Sequence, residues 1–210
     1  MPSIESLSQY TPATISRIYS GEGEIIDEFA RERRLFVASE DIPDLVKQAF
    51  ISAEDKNFYT HHGYDTRSMV AAFVEAVQTR GERVRGASTI TQQVMKNFLL
   101  SSDRTAERKI KEIILAARVE TAMSKEKILE LYLNEIFLGQ NSYGVAAAAQ
   151  TYFNKSLSDL TVEEVAYLAA LAQRPGNLHP VRQLDEALNR RAYVLGEMRD
   201  NGYIDQATYE

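Results

Sequence analysis

No cysteine occurs among the 210 residues, which excludes disulfides and thiolate metal sites. No apolar run approaches the roughly 20 residues a membrane-spanning helix needs. No charged segment followed by an apolar one reads as a signal peptide. Glycine and proline are few and scattered, at 10 and 5. There is no internal repeat and no low-complexity tract, so nothing points to a fibrous or disordered chain.

The material for a core is present. Hydrophobic residues make up 44% and charged residues 26%, in a chain long enough for one large domain with a small appendage. The net charge of −6 is unevenly spread. Arg80, Arg83, Arg85, Lys96, Arg104, Arg108, Lys109 and Lys111 are opposed only by Glu82, Asp103 and Glu107. A basic island in an acidic chain points to a local anionic ligand, against the plainer reading of a solvated helix face.

Residues 14–38 read as β. Ile15, Ile18 and Tyr19 precede the turn at Ser20–Gly23, Ile25, Ile26 and Phe29 follow, and Leu35–Ala38 offers a third run. That is the pattern of a hairpin with an extra strand. We take residues 1–40 as an N-terminal linker and hairpin region and 41–210 as the main domain. From Pro43 the apolar period is helical, with Leu45, Val46, Ala49, Phe50 and Ala53 on one face. A helix is expected over Thr66–Thr79, with Met69, Val70, Phe73, Ala76 and Val77 inward, or with some of Met69, Val70, Phe73, Val74 and Val77 forming an exposed apolar patch that meets lipid. A mobile flap is expected over Arg80–Ala87. Further helices should start near Ser88, near Asp103 and after Ser124, then at the capping box Thr161–Glu164, with a last one over 184–200. The fold class is mainly α with a small N-terminal β element.

Three stretches carry chemistry. In the helix after Asp103, Arg104, Arg108, Lys111 and Glu112 fall in one sector, and Ile110, Ile113, Ile114 and Ala117 fall opposite. This predicts a polar, outward row over an apolar, inward face. Ser88, Thr89, Thr91, Gln92 and Gln93 crowd hydrogen-bonding groups into one short run, suited to a polyhydroxylated or phosphorylated ligand. Glu54 and Asp55 end an apolar helix, where negative charge is disfavoured, and a carboxylate held there is suited to act as a general base. His61 is better read as a hydrogen-bonding residue than as a base, and His61 with His62 makes no metal site.

These stretches form five motifs in order: EDKNFYTHHG, GASTITQQVMKN, RKIKE followed by ARVE, KEKILELYLNEIFLGQNSYGVAAAAQTYFNK, and RRAYVLGEM. Together they resemble glycosyltransferase family 51, the peptidoglycan glycosyltransferases of class A penicillin-binding proteins and monofunctional transglycosylases. Val94 stands where the family has leucine. The loop Gly176–Pro180 departs from the family's usual aromatic-Asn-Pro ending.

The resemblance implies a lysozyme-like, two-lobed α fold. The reaction implied is polymerisation of lipid II into β-1,4-linked glycan, by inverting transfer with release of undecaprenyl pyrophosphate. Glu54 would be the general base and Glu112 the second catalytic carboxylate. Asp55, Ser88, Gln92, Gln93, Lys96, Asn97, Arg104, Arg108 and Lys109 would contact substrate. Lys96, Arg104, Arg108 and Lys109 are expected to converge on one anion pocket facing Glu112. No cofactor is implied as required, with a divalent cation, magnesium or manganese, as the alternative. The implied partners are lipid II, the growing glycan and the membrane surface, with no nucleic acid. The implied location is the outer face of the bacterial cytoplasmic membrane. No Ser-x-x-Lys acyl-transfer site is read here, so a membrane anchor and a transpeptidase domain are expected in a longer parent, with a monofunctional parent as the alternative. The rival readings are a lysozyme-like glycosidase or lytic transglycosylase, and a non-catalytic wall-binding module. The glycosidase has no use for a basic island.

Overall fold

A computed structural model describes residues 7, 16–19, 21–22, 25–29, 33–79, 86–100, 105–176, 178 and 183–210. The expected flap (apart from Gly86 and Ala87), Arg104, and Asn177 with residues 179–180 of the divergent loop lie outside them. The fold is mainly α with a small N-terminal β element, as expected. The chain divides into two compact units, one of residues 1–10 and 54–132, the other of residues 11–53 and 133–210.

In the second unit, strands β1 (Ser16–Tyr19) and β2 (Ile25–Phe29) form the antiparallel hairpin, with Ser16 opposite Phe29 and an irregularity at Ile18/Tyr19. The third strand differs from expectation. It is β3 (Arg33–Arg34), and it pairs in parallel with β4 (Ser142–Tyr143) rather than with the hairpin. The run expected as strand has another partner. Asn134 Oδ1 accepts from the Val37 amide at 2.8 Å and its Nδ2 donates to the Val37 carbonyl at 2.9 Å. One side-chain amide thus does for Val37 what a neighbouring strand would. Arg34 pairs with Glu135 and lies 4.5 Å from the Tyr143 ring centroid.

The helices of this unit are α1 (Asp44–Glu54, its last residue belonging to the first unit), α6 (Val145–Phe153), α7 (Val162–Leu171), α8 (Leu184–Asp200) and α9 (Gln206–Tyr209). The capping box forms as read: the Glu164 amide donates to Thr161 Oγ1 and the Thr161 amide to Glu164 Oε2. Helix α7 is buried over Val165–Leu171 and packs on α8.

The first unit carries α2 (Thr66–Gln78), α3 (Ile90–Leu99), α4 (Ala106–Ala122) and most of α5 (Lys125–Glu135). Helix starts fall one or two residues from where the sequence puts them. Thr89, not Ser88, caps α3 by accepting from the Gln92 amide, and Thr105 caps α4 by accepting from Arg108. Ser124-Lys125-Glu126-Lys127 has the Ser-x-x-Lys spacing of an acyl-transfer site. Ser124 Oγ instead accepts from the Lys127 amide as a helix cap, and Lys127 Nζ is bound to Glu130.

Asp65 caps α2. Burial pushes its carboxyl up. Hydrogen bonds from the Asn57 amide, the Ser68 hydroxyl and the Ser68 and Arg67 backbone amides outweigh that and hold it at about 2. A depressed carboxylate stabilises the fold above its unfolded value near 3.9, and that contribution is lost as pH falls through about 2. Asp65→Asn should cost about 2 kcal/mol at neutral pH. It should also flatten the loss of melting temperature between about pH 5 and pH 2. Melting curves across that range check both.

The faces of α2 and α4 differ from the sequence expectation. Along α4 the buried stripe is Glu112, Leu115, Ala116 and Val119, and it packs on α3. Ile110 is 59% exposed and Ile114 42%. The buried stripe has the helical spacing i, i+3, i+4, i+7, but it takes Glu112 from the expected polar row together with three apolar residues, and leaves Lys111 exposed. On α2, Ala72 is buried, whereas Val70, Val74, Val77 and Phe73, the last 70% exposed, face out.

Candidate active site

The first turn of α3 organises the site. The Ile90 amide donates to Asp55 Oδ2 at 2.9 Å, and the Thr89 hydroxyl donates to the Gly63 carbonyl at 2.7 Å. These two bonds tie the start of α3 to the loop that follows α1. Gly63 has φ +86°, and a Cβ there would lie 2.5 Å from the Ala116 carbonyl carbon. Only glycine lets the loop approach α4 so closely.

Two adjacent glutamines of α3 then reach two different carboxylates. Gln93 Nε2 donates to Glu54 Oε2 at 3.1 Å. Gln92 is fully buried, and its Oε1 accepts from Lys109 Nζ at 3.1 Å. The Lys109 ammonium also donates to Ser88 Oγ at 2.8 Å and to Glu112 Oε1 at 2.7 Å. Its three donors are thus all engaged. Glu112 is 2% exposed, a burial tolerable only because a cation sits on it. Among the described residues, Glu112 Oε2, Gln92 Nε2 and Arg108 Nε are buried without a hydrogen-bond partner.

The structure therefore gathers Ser88, Gln92, Lys109 and Glu112 into one cluster and sets Gln93 on Glu54. Asp55 faces protein: its Oδ2 is shared by the Ile90 amide and His61 Nε2, the latter at 2.8 Å. Lys96 and Asn97 are exposed, one helical turn beyond the two glutamines. Arg108 is half-buried, and Lys111 is drawn off to Glu107 at 2.5 Å. The cations expected as one row are thus set differently: Lys109 turns inward onto Glu112 while Lys96 stands at the surface.

Sequence reasoning missed Tyr132, Glu120 and Lys125. Tyr132 is fully buried. Burial pushes its phenol well up, and the nearby carboxylates of Glu54 and Asp55 push it further, so it remains a protonated, donor-capable group beside Glu54. Its only sequence signal is its place in the string ILELYLN.

Residues 22–199 match the family described as Transglycosylase. The chain belongs to the transglycosylase family, and so is a peptidoglycan glycosyltransferase domain. The match begins inside the segment taken as linker. Penicillin-binding protein 1A of Rickettsia prowazekii (strain Madrid E) is 47% identical over 210 residues, which is 99% of this chain and 27% of that protein. Penicillin-binding protein 1A of Neisseria flavescens is 46% identical over 215 residues, covering 100% and 27%. The crystal structure of penicillin-binding protein 1A from Haemophilus influenzae matches 93% of this chain and 19% of its own, at a TM-score of 0.51 and 28% identity. The chain spans about a quarter of the length of the curated relatives it matches.

Proposed function

We propose that this domain polymerises lipid II into β-1,4-linked glycan strands. Glu54 takes the proton from the 4-hydroxyl of the acceptor N-acetylglucosamine. That oxygen attacks the anomeric carbon of the donor chain, the bond to pyrophosphate breaks, and configuration inverts. The departing undecaprenyl pyrophosphate gathers negative charge, and Lys109 and Arg108 meet it. Fixed cations help most where charge grows in the transition state. Lys109 reaches an arriving phosphate oxygen by exchanging its bond to Ser88 or Gln92, while Glu112 holds its ammonium in place. Lys96 extends the cationic surface, and Asn97 offers a neutral donor beside it; Arg104 is assigned to substrate by the family motif alone. Asp55 positions the start of α3 rather than touching substrate.

One observation carries this reading. Gln92 and Gln93, neighbours in sequence, are bonded to Lys109 and Glu54 respectively, so α3 couples a base to a cation-bearing second carboxylate. A glycosidase needs two carboxylates but no lysine holding one of them. The products separate the two. The proposal expects polyprenyl pyrophosphate and polymer from lipid II, and no sugar fragments from preformed glycan. Fragments without pyrophosphate release contradict it.

For a divalent cation, the fit is partial. Among the described residues no group of three or more His, Asp or Glu could hold a metal ion. Glu112 Oε2 would hold one only together with the substrate's own phosphates, as magnesium commonly binds, and it would there neutralise leaving-group charge. Turnover with and without a chelator decides.

Lys109→Met should lower the melting point, because it strands the buried Glu112 charge at a cost of about 1–3 kcal/mol. Adding Glu112→Gln should restore the melting point but not turnover, which falls about 10- to 100-fold in both. Recovery of turnover in the double variant would make the pair merely structural.

The exposed Val70, Phe73, Val74 and Val77 of α2 and Ile110 and Ile114 of α4 suit contact with a membrane surface. Among the described residues no helix is long and apolar enough to cross one. Phe73→Ser with Val77→Ser should reduce co-sedimentation with phospholipid vesicles several-fold at unchanged melting temperature. Equal sedimentation removes the membrane role from α2. In the whole protein, the roughly fourfold longer relatives support a further domain, which we take to be a transpeptidase, and an anchor on the outer face of the cytoplasmic membrane.

A further inference from the structure

Behind the base lies a buried cluster that the reaction as described does not use. His61 Nε2 meets Asp55 Oδ2 at 2.8 Å, and His61 Nδ1 lies 3.4 Å from Lys125 Nζ and 3.8 Å from Glu120 Oε1. Lys125 Nζ donates to Glu120 Oε1 at 2.7 Å and stands 4.6 Å from the Phe58 ring centroid. The Thr91 hydroxyl donates to that same Glu120 oxygen. The side chains of Asp55, His61 and Glu120 are almost wholly buried.

The connectivity is specific. Asp55 holds the backbone amide of Ile90, and Glu120 holds the hydroxyl of Thr91. Two carboxylates from distant parts of the chain thus grip consecutive residues at the start of α3. His61 and Lys125 bridge those carboxylates. Two residues further along α3, Gln93 makes its bond to Glu54. A charge holding a helix turn in low dielectric fixes it more firmly than a neutral contact of the same shape.

We propose that Glu120 and Lys125 are positioning residues for glycosyl transfer, acting through His61, Asp55 and Thr91 to place Gln93 against Glu54. This rests on the function proposed above. Neither residue touches the reacting groups. The hydrogen bonds assign the proton of His61 to Nε2, donating to Asp55, with Nδ1 accepting from Lys125. A proton on Nδ1 would face the ammonium instead. The neighbours of the ring are Asp55 from the loop after α1, Glu120 from α4, Lys125 from α5 and the Phe58 ring edge-on.

The test compares the unaltered chain with Lys125→Arg and with the double variant Glu120→Gln/Lys125→Met. The double variant removes both members of the Glu120–Lys125 ion pair together, so neither is left without the other, and Asp55 keeps its bonds to the Ile90 amide and His61; it should fold. Its kcat on lipid II should fall about 10- to 100-fold, the scale of a small misplacement at a reacting centre, with KM little changed. Lys125→Arg should keep most of the activity. Hydrogen exchange at the amides of residues 90–93 should quicken in the double variant only. Parental kcat and parental exchange in a folded double variant overturn the proposal. If the double variant does not fold, ring 15N shifts of His61 in the unaltered chain decide, and a proton on Nδ1 overturns it. An unaltered chain inactive on lipid II counts against the glycosyltransfer reading, while the exchange and ring-nitrogen readouts still judge the grip on α3.

Discussion

Glu54→Gln should leave the chain folded and lower polymerisation of lipid II by about 10²- to 10⁴-fold, the usual contribution of a positioned general base. The substitution keeps the size and the acceptor oxygen that Gln93 engages at 3.1 Å, so the start of α3 should not move. It removes the capacity to take a proton from the attacking hydroxyl. The loss should appear in kcat more than in KM, because the proton moves in the transition state and not on binding. Near-normal polymerisation by a folded Glu54→Gln chain would require another base. Asp55 is a poor candidate, since its Oδ2 is committed to the Ile90 amide and to His61.

Gly63→Ala should have the largest effect on stability. Its φ of +86° lies where L side chains are strained, and the added Cβ would meet the Ala116 carbonyl carbon at 2.5 Å, its oxygen at 2.6 Å and the Ala117 nitrogen at 2.6 Å. All three are backbone atoms inside α4, so no side chain can swing away. Strain at positive φ and overpacking each cost of order 1–3 kcal/mol. We expect about 3 kcal/mol or more, and so a melting point lower by about 10 °C for a chain of this size. The damage should reach the site, because the Gly63 carbonyl accepts the hydroxyl of Thr89, the cap of α3. A melting point within about 2 °C of the parent would mean that loop and helix separate easily.

Much of this was legible in sequence because local signals and global packing agree. The capping box at Thr161, the stop before Gly202 and the hairpin across Gly21 are local and appear as read. The motif residues Glu54, Ser88, Gln92, Gln93, Lys109 and Glu112 are all legible in the sequence, and the structure draws all six into hydrogen bonds with one another. What failed was the sense of a face. Periodicity showed that α4 has an apolar side and a charged side, and solubility in water argues for burying the apolar one. The structure buries Glu112 under Lys109 and turns Ile110 and Ile114 outward, an arrangement the proposed lipid contact would favour. The caps slipped by one or two residues because Ser88 and Thr89 offer the same hydroxyl, and only the fold decides which one meets the Gln92 amide. Asn134 with Val37, and Thr91 with Glu120, are bonds between residues far apart in sequence. No periodicity can announce such pairs.

The central claim is that α3 joins a base at Glu54 to a cation-held carboxylate at Glu112 in order to build glycan. Its most direct measurement incubates this chain and its Glu54→Gln variant with lipid II under one set of conditions, resolving polymer and released undecaprenyl pyrophosphate. The account predicts polymer and pyrophosphate in step from the parent and at least a hundredfold less of both from the variant. No polymer from the folded parent, or equal amounts from both chains, would contradict it.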